Sequence, residues 1–369
     1  MRQFLTSAHK GIHPAIALII FAGLLSIGKL DKLLGEIPDP GCIRASSATE
    51  TNSQILIWHG SPQSFGQFGK PQQQINILGQ VLNPGKITSL EYSLNGAAAQ
   101  HLNIGPDDRR LACAGDFNIE INTDALTSGN NLIVITAIDR KGEIFTETVQ
   151  VNFVNGPAMP LPSSIDWSKL MKLSDAAQVV DGRWRIDAAG LRPETISYDR
   201  VVAIGDHTWH EIEILVPFLV HRIDPFDTSS NGAGLGIIMH WNGYSDEPIK
   251  CEQPKCGWWN SGASAWYKWG LYGHDERLTL LGHKDILLDE APGIELNFGE
   301  WYFFRIAIET SPGTGVRYQL KFWNTNQPEP VEWTLSGAQE NTGPVSGSIL
   351  LVAHHVDVVF GKIEIEPKP

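Results

Sequence analysis

Residues 144–153 read Ile-Phe-Thr-Glu-Thr-Val-Gln-Val-Asn-Phe, with Val149, Val151 and Phe153 alternating with Thr148, Gln150 and Asn152. Alternation of period two gives a strand one buried face and one wet face. Short runs of this kind recur from Ser47 onward, separated by turn signals such as Asn83-Pro-Gly85, Asn95-Gly96 and Asp181-Gly182. The 36 Gly and 22 Pro, set among many β-branched and aromatic residues, favour strands and tight turns over helices. The expected fold class is all-β.

The runs fall into two blocks. In residues 47–155, candidate strands at 54–58, 74–82, 87–94, 97–102, 117–121, 131–139 and 144–153 suit one β-sandwich. Residues 156–164, with Pro157, Pro160 and Pro162, read as a linker. In residues 165–369 about a dozen candidate strands suit a two-sheet jelly roll. Among them, 178–180 and 183–186 are expected to form a hairpin through Asp181-Gly182, with further strands at 268–272, 331–335, 348–354 and 356–365. No repeat of 20–50 residues points to a propeller or solenoid.

Two passages of the first block, Gly79-Gln-Val-Leu-Asn-Pro-Gly85 with Leu90-Glu-Tyr-Ser-Leu-Asn-Gly96, and the stretch from Leu126 to Gly142, resemble exported bacterial immunoglobulin-like modules. That resemblance implies a spacer or adhesion unit. In the second block, Gly299-Glu-Trp-Tyr-Phe-Phe-Arg-Ile-Ala-Ile308, Gly315-Val-Arg-Tyr-Gln-Leu-Lys-Phe-Trp323 and Gly347-Ser-Ile-Leu-Leu-Val-Ala-His-His355 with Val359-Phe-Gly-Lys-Ile-Glu-Ile365 resemble the concanavalin A-like lectin/glucanase superfamily, which includes laminin-G-like domains. This second resemblance implies a jelly-roll sandwich, with the last two passages as its closing pair of strands, and a leaning toward sugars.

Residues 12–28 are almost wholly apolar, with Arg2 and Lys10 before them and Lys29 and Lys32 after. At roughly 17 residues the run suits either an uncleaved signal anchor or a cleaved signal peptide. Segment 1–46 is therefore expected to be targeting segment plus linker, with the remainder extracytoplasmic, membrane-anchored or secreted. Four cysteines fit that destination. Cys251 and Cys256 enclose a short loop with Pro254 and are expected to bridge, which leaves Cys42 and Cys113 to pair. The formal net charge of −13, without a basic stripe, speaks against nucleic acid and favours neutral glycans over polyanions.

All but one of the 12 tryptophans lie beyond residue 160, and Trp258, Trp259, Trp266 and Trp269 share one short Gly/Ser-rich stretch. Indole is flat and apolar with one donor, so such a cluster is either a core plug or a face for flat ligands such as a sugar ring. The expected ligand-binding set is Trp258, Trp259, Trp266, Tyr267, Trp269 and Trp241, with Asn242 offering hydrogen bonds to ring hydroxyls. Trp266 and Trp269 are read on a loop running into a strand.

Because the superfamily contains glycosidases, paired carboxylates matter. Glu211-Ile-Glu213 places two acids on one strand face and supplies the candidate catalytic pair, set against a solvated strand face. His354-His355 with Asp357 is a weaker acid/base candidate. Asp224, Asp227 and Asn231 offer oxygens for a structural calcium ion, set against a plain Asx-rich turn. Gly232-Ala-Gly-Leu-Gly236 lies in a β pattern with no following helix and is not a phosphate loop.

These readings converge on an exported surface protein, attached to the membrane through its N-terminal helix, with an immunoglobulin-like spacer and a jelly roll that binds a neutral polysaccharide or other glycan. The alternatives are a glycoside hydrolase or polysaccharide lyase on the same fold, and a structural envelope protein that binds other proteins. Beyond calcium, no cofactor is expected.

Overall fold

The computed structural model describes Cys42 and residues 54–224, 232–270, 275–311, 315–340 and 342–368. The chain divides into two units, Met1–Ser46 and Ser47–Pro369, and apart from Cys42 all that follows concerns the second. The apolar run at 12–28 lies outside the described residues; among those described, no helix is long and apolar enough to cross a membrane. Regular structure among them is β-strand, apart from short 3-10 turns. The all-β expectation holds.

A smaller sandwich comes first. One sheet orders Ile55–Ile57, Gln74–Val81 and Asp116–Asn122; the other orders Gln63–Phe65, Ile144–Phe153, Gly129–Asp139, Ile87–Leu94 and Gln100–His101. The alternation read at 148–153 buries Val149, Val151 and Phe153 against Ile77, Phe117, Ile119 and Ile133.

The larger sandwich has a seven-stranded sheet in the order Gln178–Asp181, Arg200–Ile204, Ser348–His354, Ala233–Trp241, Ala263–Gly270, Arg277–Gly282 and Leu287–Pro292. Its partner sheet has nine strands; the main path runs Trp184–Asp187, Gly190–Pro193, Val356–Phe360, Ile212–Ile223, Trp301–Ser311, Gly315–Asn324 and Leu335–Gln339. Ile363–Pro367 also pairs with Ile212–Ile223, and Ser163–Ile165 pairs with Ile363–Pro367.

Period two sorts the side chains of the seven-stranded sheet. Leu235, Ile237, Met239, Ala265, Tyr267, Trp269, Leu351 and Ala353 face the partner sheet and join the main core. Their neighbours Val201, Ala203, Ile238, Leu350 and Val352 face the other way and form a second apolar layer with Val180, Trp241 and Tyr244. A sheet with two apolar faces needs a cover on each. On the second face the cover comes from the loop after Trp241 and from the smaller sandwich.

The contact with the smaller sandwich is polar and buried. Arg110 places its guanidinium against Asp181 (2.8 Å) and Glu120 (2.6 Å), all three nearly sealed from solvent, and it also donates to the carbonyl of Lys255. Asn118 donates to Asp181 and to the carbonyl of Val180, while Arg200 donates to the carbonyls of Arg109 and Arg110. Burial works against the charge on Arg110, but Asp181 and Glu120 outweigh it and hold the guanidinium protonated.

Four sequence expectations about strands are corrected. Gln178–Asp181 and Trp184–Asp187 do not form a hairpin; Asp181-Gly182 carries the chain from one sheet to the other, so the two strands pair elsewhere. The closing pair is also split between sheets, because His355 (φ 53°) turns the chain out of the seven-stranded sheet before Val356–Phe360 begins. The strand expected at 356–365 breaks at Gly361-Lys362, and the one expected at 331–335 lies instead at Leu335–Gln339. In the proline-rich segment, the carbonyl of Met159 accepts from Trp209, and Met159 and Leu161 pack on the main core.

Candidate functional site

The second apolar layer floors a recess of about 300 Å³. Strand Ala263–Gly270 is its centre. Even-numbered residues Ser264, Trp266 and Lys268 project into the recess, and odd-numbered residues project into the core. Trp266 lies across strand Ala233–Trp241 at Gly234 and Gly236. A Cβ at Gly236 would meet the Trp266 ring at 2.9 Å and the carbonyl oxygen of Ala265 at 2.6 Å. The Gly-rich passage with no role in the sequence reading is thus the seat of an indole.

One wall is the segment that follows the Cys251–Cys256 disulfide, whose Cα atoms are 5.5 Å apart. Trp258 and Trp259 both donate their indole N–H to the Asp285 carboxylate, at 3.2–3.3 Å. The Lys284 ammonium sits 5.4 Å from the Trp259 ring centroid. The disulfide loop is fastened to the smaller sandwich: Lys255 N–H donates to Glu120, and Gln253 donates to Tyr92 and to the carbonyl of Glu120. Arg110 also stacks 3.8 Å from the Tyr244 ring, which lines the recess.

The opposite wall carries Tyr198, Asp199 and His354. His354 Nδ1 lies 2.8 Å from Asp199, and its buried Nε2 has no hydrogen-bond partner among the described residues. The Trp266 ring meets His354 edge-on at 6.1 Å. Burial raises the Tyr198 hydroxyl above its ordinary value, with Asp199 adding to the effect, so it stays protonated. Lys268 is pulled below the usual ammonium value by burial, an effect that Asp285 partly opposes.

Trp258, Trp259 and Trp266 of the expected set are brought together, half-buried, on the recess. Trp241 also lines it but is sealed beneath the others and donates to Gln72 of the smaller sandwich. It reaches this face through a bulge at His240 (φ 51°), where the register shifts between Met239 and Trp241. Tyr267 and Trp269 belong to the core and give a ligand no access. Asn242 spends its amide on the carbonyls of His240 and Ser346. The loop expected around Trp266 is in fact strand, which is why Trp266 and Trp269, three apart, point in opposite directions.

The candidate catalytic pair lies elsewhere. Glu213 faces outward from the nine-stranded sheet, paired with Arg305 in a chain that continues through Glu329 to Lys321. Glu211 accepts from the backbone of Thr310. The whole sandwich separates both acids from the recess. Asp357 is held by two guanidinium nitrogens of Arg192 at 2.7 Å. Of the calcium candidates, Asp224 lies 3.8 Å from His355, while Asp227 and Asn231 fall outside the described residues. Among the described residues, no cluster of three or more His, Cys, Asp or Glu is placed to hold a metal ion. None of the four cysteines is a free thiol.

No protein-family model matches the sequence, and no curated protein matches it significantly. Among solved structures the chain is similar to the exoplasmic/lumenal domain of VIP36 in its Ca2+/Man3GlcNAc-bound form. That match has 12% identity and a TM-score of 0.38, and covers 58% of this chain and 91% of that one. It is also similar to carbohydrate-binding module CBM66 from Bacillus subtilis (12% identity, TM-score 0.34, 52% and 95% covered). A legume lectin-like domain from Entamoeba histolytica matches at 7% identity with a TM-score of 0.34, covering 53% and 91%. These likenesses are distant, and the functional reading rests on the recess.

Proposed function

We propose that this protein is a carbohydrate-binding surface protein whose recess on the seven-stranded sheet receives a sugar ring. The observation that carries the reading is the convergence of three half-buried indoles, Trp258, Trp259 and Trp266, on one recess of about 300 Å³. A sugar presents an apolar C–H face and a polar rim. Stacking that face on an indole removes apolar area from water at about 25 cal/mol per Å². Ser264 and Lys268 project into the recess and Lys284 lines it, so they offer donors to the sugar hydroxyls. The smaller sandwich, of proposed immunoglobulin-like kinship, acts as a buttress for the recess wall more than as a spacer.

Export, attachment through the N-terminal segment and a calcium ion near Asp224 belong to the same proposal. The absence of free thiols supports export. Fractionation of cells and calcium titration of the purified protein test these parts separately.

Binding to a panel of immobilised glycans tests the centre of the proposal. The expected result is capture of at least one polysaccharide with affinity reduced tenfold or more in Trp259→Ala. Equal capture by wild type and variant would contradict it. A glycan-cleaving activity is the second reading, favoured by the His354–Asp199 contact on the recess wall. Release of sugar ends that disappears in His354→Ala would move it ahead.

A further inference from the structure

The recess contains two carboxylates and two ammonium groups, and they differ in how they are engaged. Asp285 already accepts from the indole N–H groups of Trp258 and Trp259, and Asp199 is in contact with His354 Nδ1. Both acids are therefore occupied within the protein. The two indole donors are occupied as well, which leaves their rings free for stacking only.

The lysines are different. Neither Lys268 nor Lys284 has an ion pair or a side-chain hydrogen bond among the described residues. Lys284 is exposed to solvent and sits over the Trp259 ring, so its charge needs no further partner. Lys268 is not: it rises from the half-buried side of strand Ala263–Gly270, two residues after Trp266, and lines the recess. A partly desolvated ammonium without a hydrogen-bonded anion is a site in search of a counter-charge. Burial weakens its hold on the proton, with Asp285 the main opposing charge, so it gains from any anion that enters.

We propose that the recess selects an acidic sugar, one whose ring carries a carboxylate or sulfate, with Lys268 as its counter-ion and Trp266 as its stacking surface. This rests on the glycan-binding reading above and names the substrate class of the same site. It departs from the expectation of a neutral glycan drawn from the net charge of −13. A bulk charge acts on approach over a Debye length of about 8 Å at physiological salt, whereas a desolvated lysine acts at contact and is screened less. The global repulsion lowers the rate of encounter, and the local charge sets the choice of ring.

The test is isothermal titration of the full protein with three probes: an oligogalacturonate, the same oligomer with its carboxylates reduced to alcohols, and a sulfated galactan oligosaccharide. The expected result is binding of one acidic probe at least about tenfold tighter than the reduced one, about 1.4 kcal/mol. Lys268→Gln abolishes that preference and Lys268→Arg keeps most of it, with near-ultraviolet circular dichroism confirming that both variants fold. A preference for the uronate over the sulfated probe, or the reverse, identifies the anion. Equal affinity for the reduced and acidic probes, lost in Trp266→Ala, overturns the acidic-sugar inference and leaves glycan binding standing. A preference for the acidic probe that survives in Lys268→Gln also overturns it. Binding of none of the probes, with no capture on the glycan panel, overturns both.

Discussion

The side chain at position 240 shows how much one residue's surroundings decide. His240 is fully buried at the bulge, its Nε2 donating to the carbonyl of His210 and its Nδ1 accepting from the Tyr318 hydroxyl. Burial pushes the imidazole down to about 4, against the raising effect of the backbone carbonyls around it. In the unfolded chain the same ring takes a proton near pH 6.5, so its contribution is fully present above that value and is lost as pH falls toward 4. The stability gap between wild type and His240→Gln should therefore shrink by up to about 3 kcal/mol between pH 7 and pH 4 in urea unfolding. A constant gap would contradict the burial argument. The sequence picked out the aromatic cluster as a whole, but it did not say which members face a ligand. That division depends on strand parity: Trp266 and Trp269 sit three apart, and parity has meaning only once the segment is known to be strand. Trp241 was harder still, because a bulge reverses parity and no residue type announces one.

Strands were legible wherever alternation was clean, as at Gln74–Val81, Ile87–Leu94 and Ile144–Phe153. What the sequence concealed was partnership. Asp181-Gly182 has the composition of a hairpin turn, yet Asp181 is drawn into the Arg110 contact and the chain changes sheets. The strand Ala263–Gly270 is hard to place from sequence because Gly262, Ser264 and Ala265 look like a loop; Gly262 is small because a Cβ there would run into the Tyr318 hydroxyl. Gly234 and Gly236 are small for another reason, since the Trp266 ring lies over them. Gly236→Val should displace Trp266 from its seat and lower glycan affinity, and it should lower the unfolding midpoint as well, because the added Cβ also meets the Ala265 carbonyl oxygen at 2.6 Å. A variant that binds as wild type does would show that the indole needs no such seat.

At the scale of the molecule, the smaller sandwich and the recess are one construction. Arg110, far in sequence from every recess residue, bridges Asp181 at the sheet edge, Glu120 in the smaller sandwich and the carbonyl of Lys255 in the disulfide loop. Removing it leaves the buried Asp181 and Glu120 without their ion-pair partner, a change that costs about 3–5 kcal/mol in comparable settings. Arg110→Ala should thus lower the unfolding midpoint and weaken glycan binding together, whereas stability lost without any change in binding would mean that the wall stands alone. Neither consequence could be read from the sequence, because long-range pairing of Arg110 with Asp181 has no local signature. The most direct test of the account as a whole is the indole region of a 15N-correlated NMR spectrum recorded while a bound glycan is titrated in. The signals of Trp258, Trp259 and Trp266 should move, with Trp241 following weakly, while those of Trp167 and Trp269 in the core stay fixed. Movement of the core signals with the recess signals unchanged would contradict it.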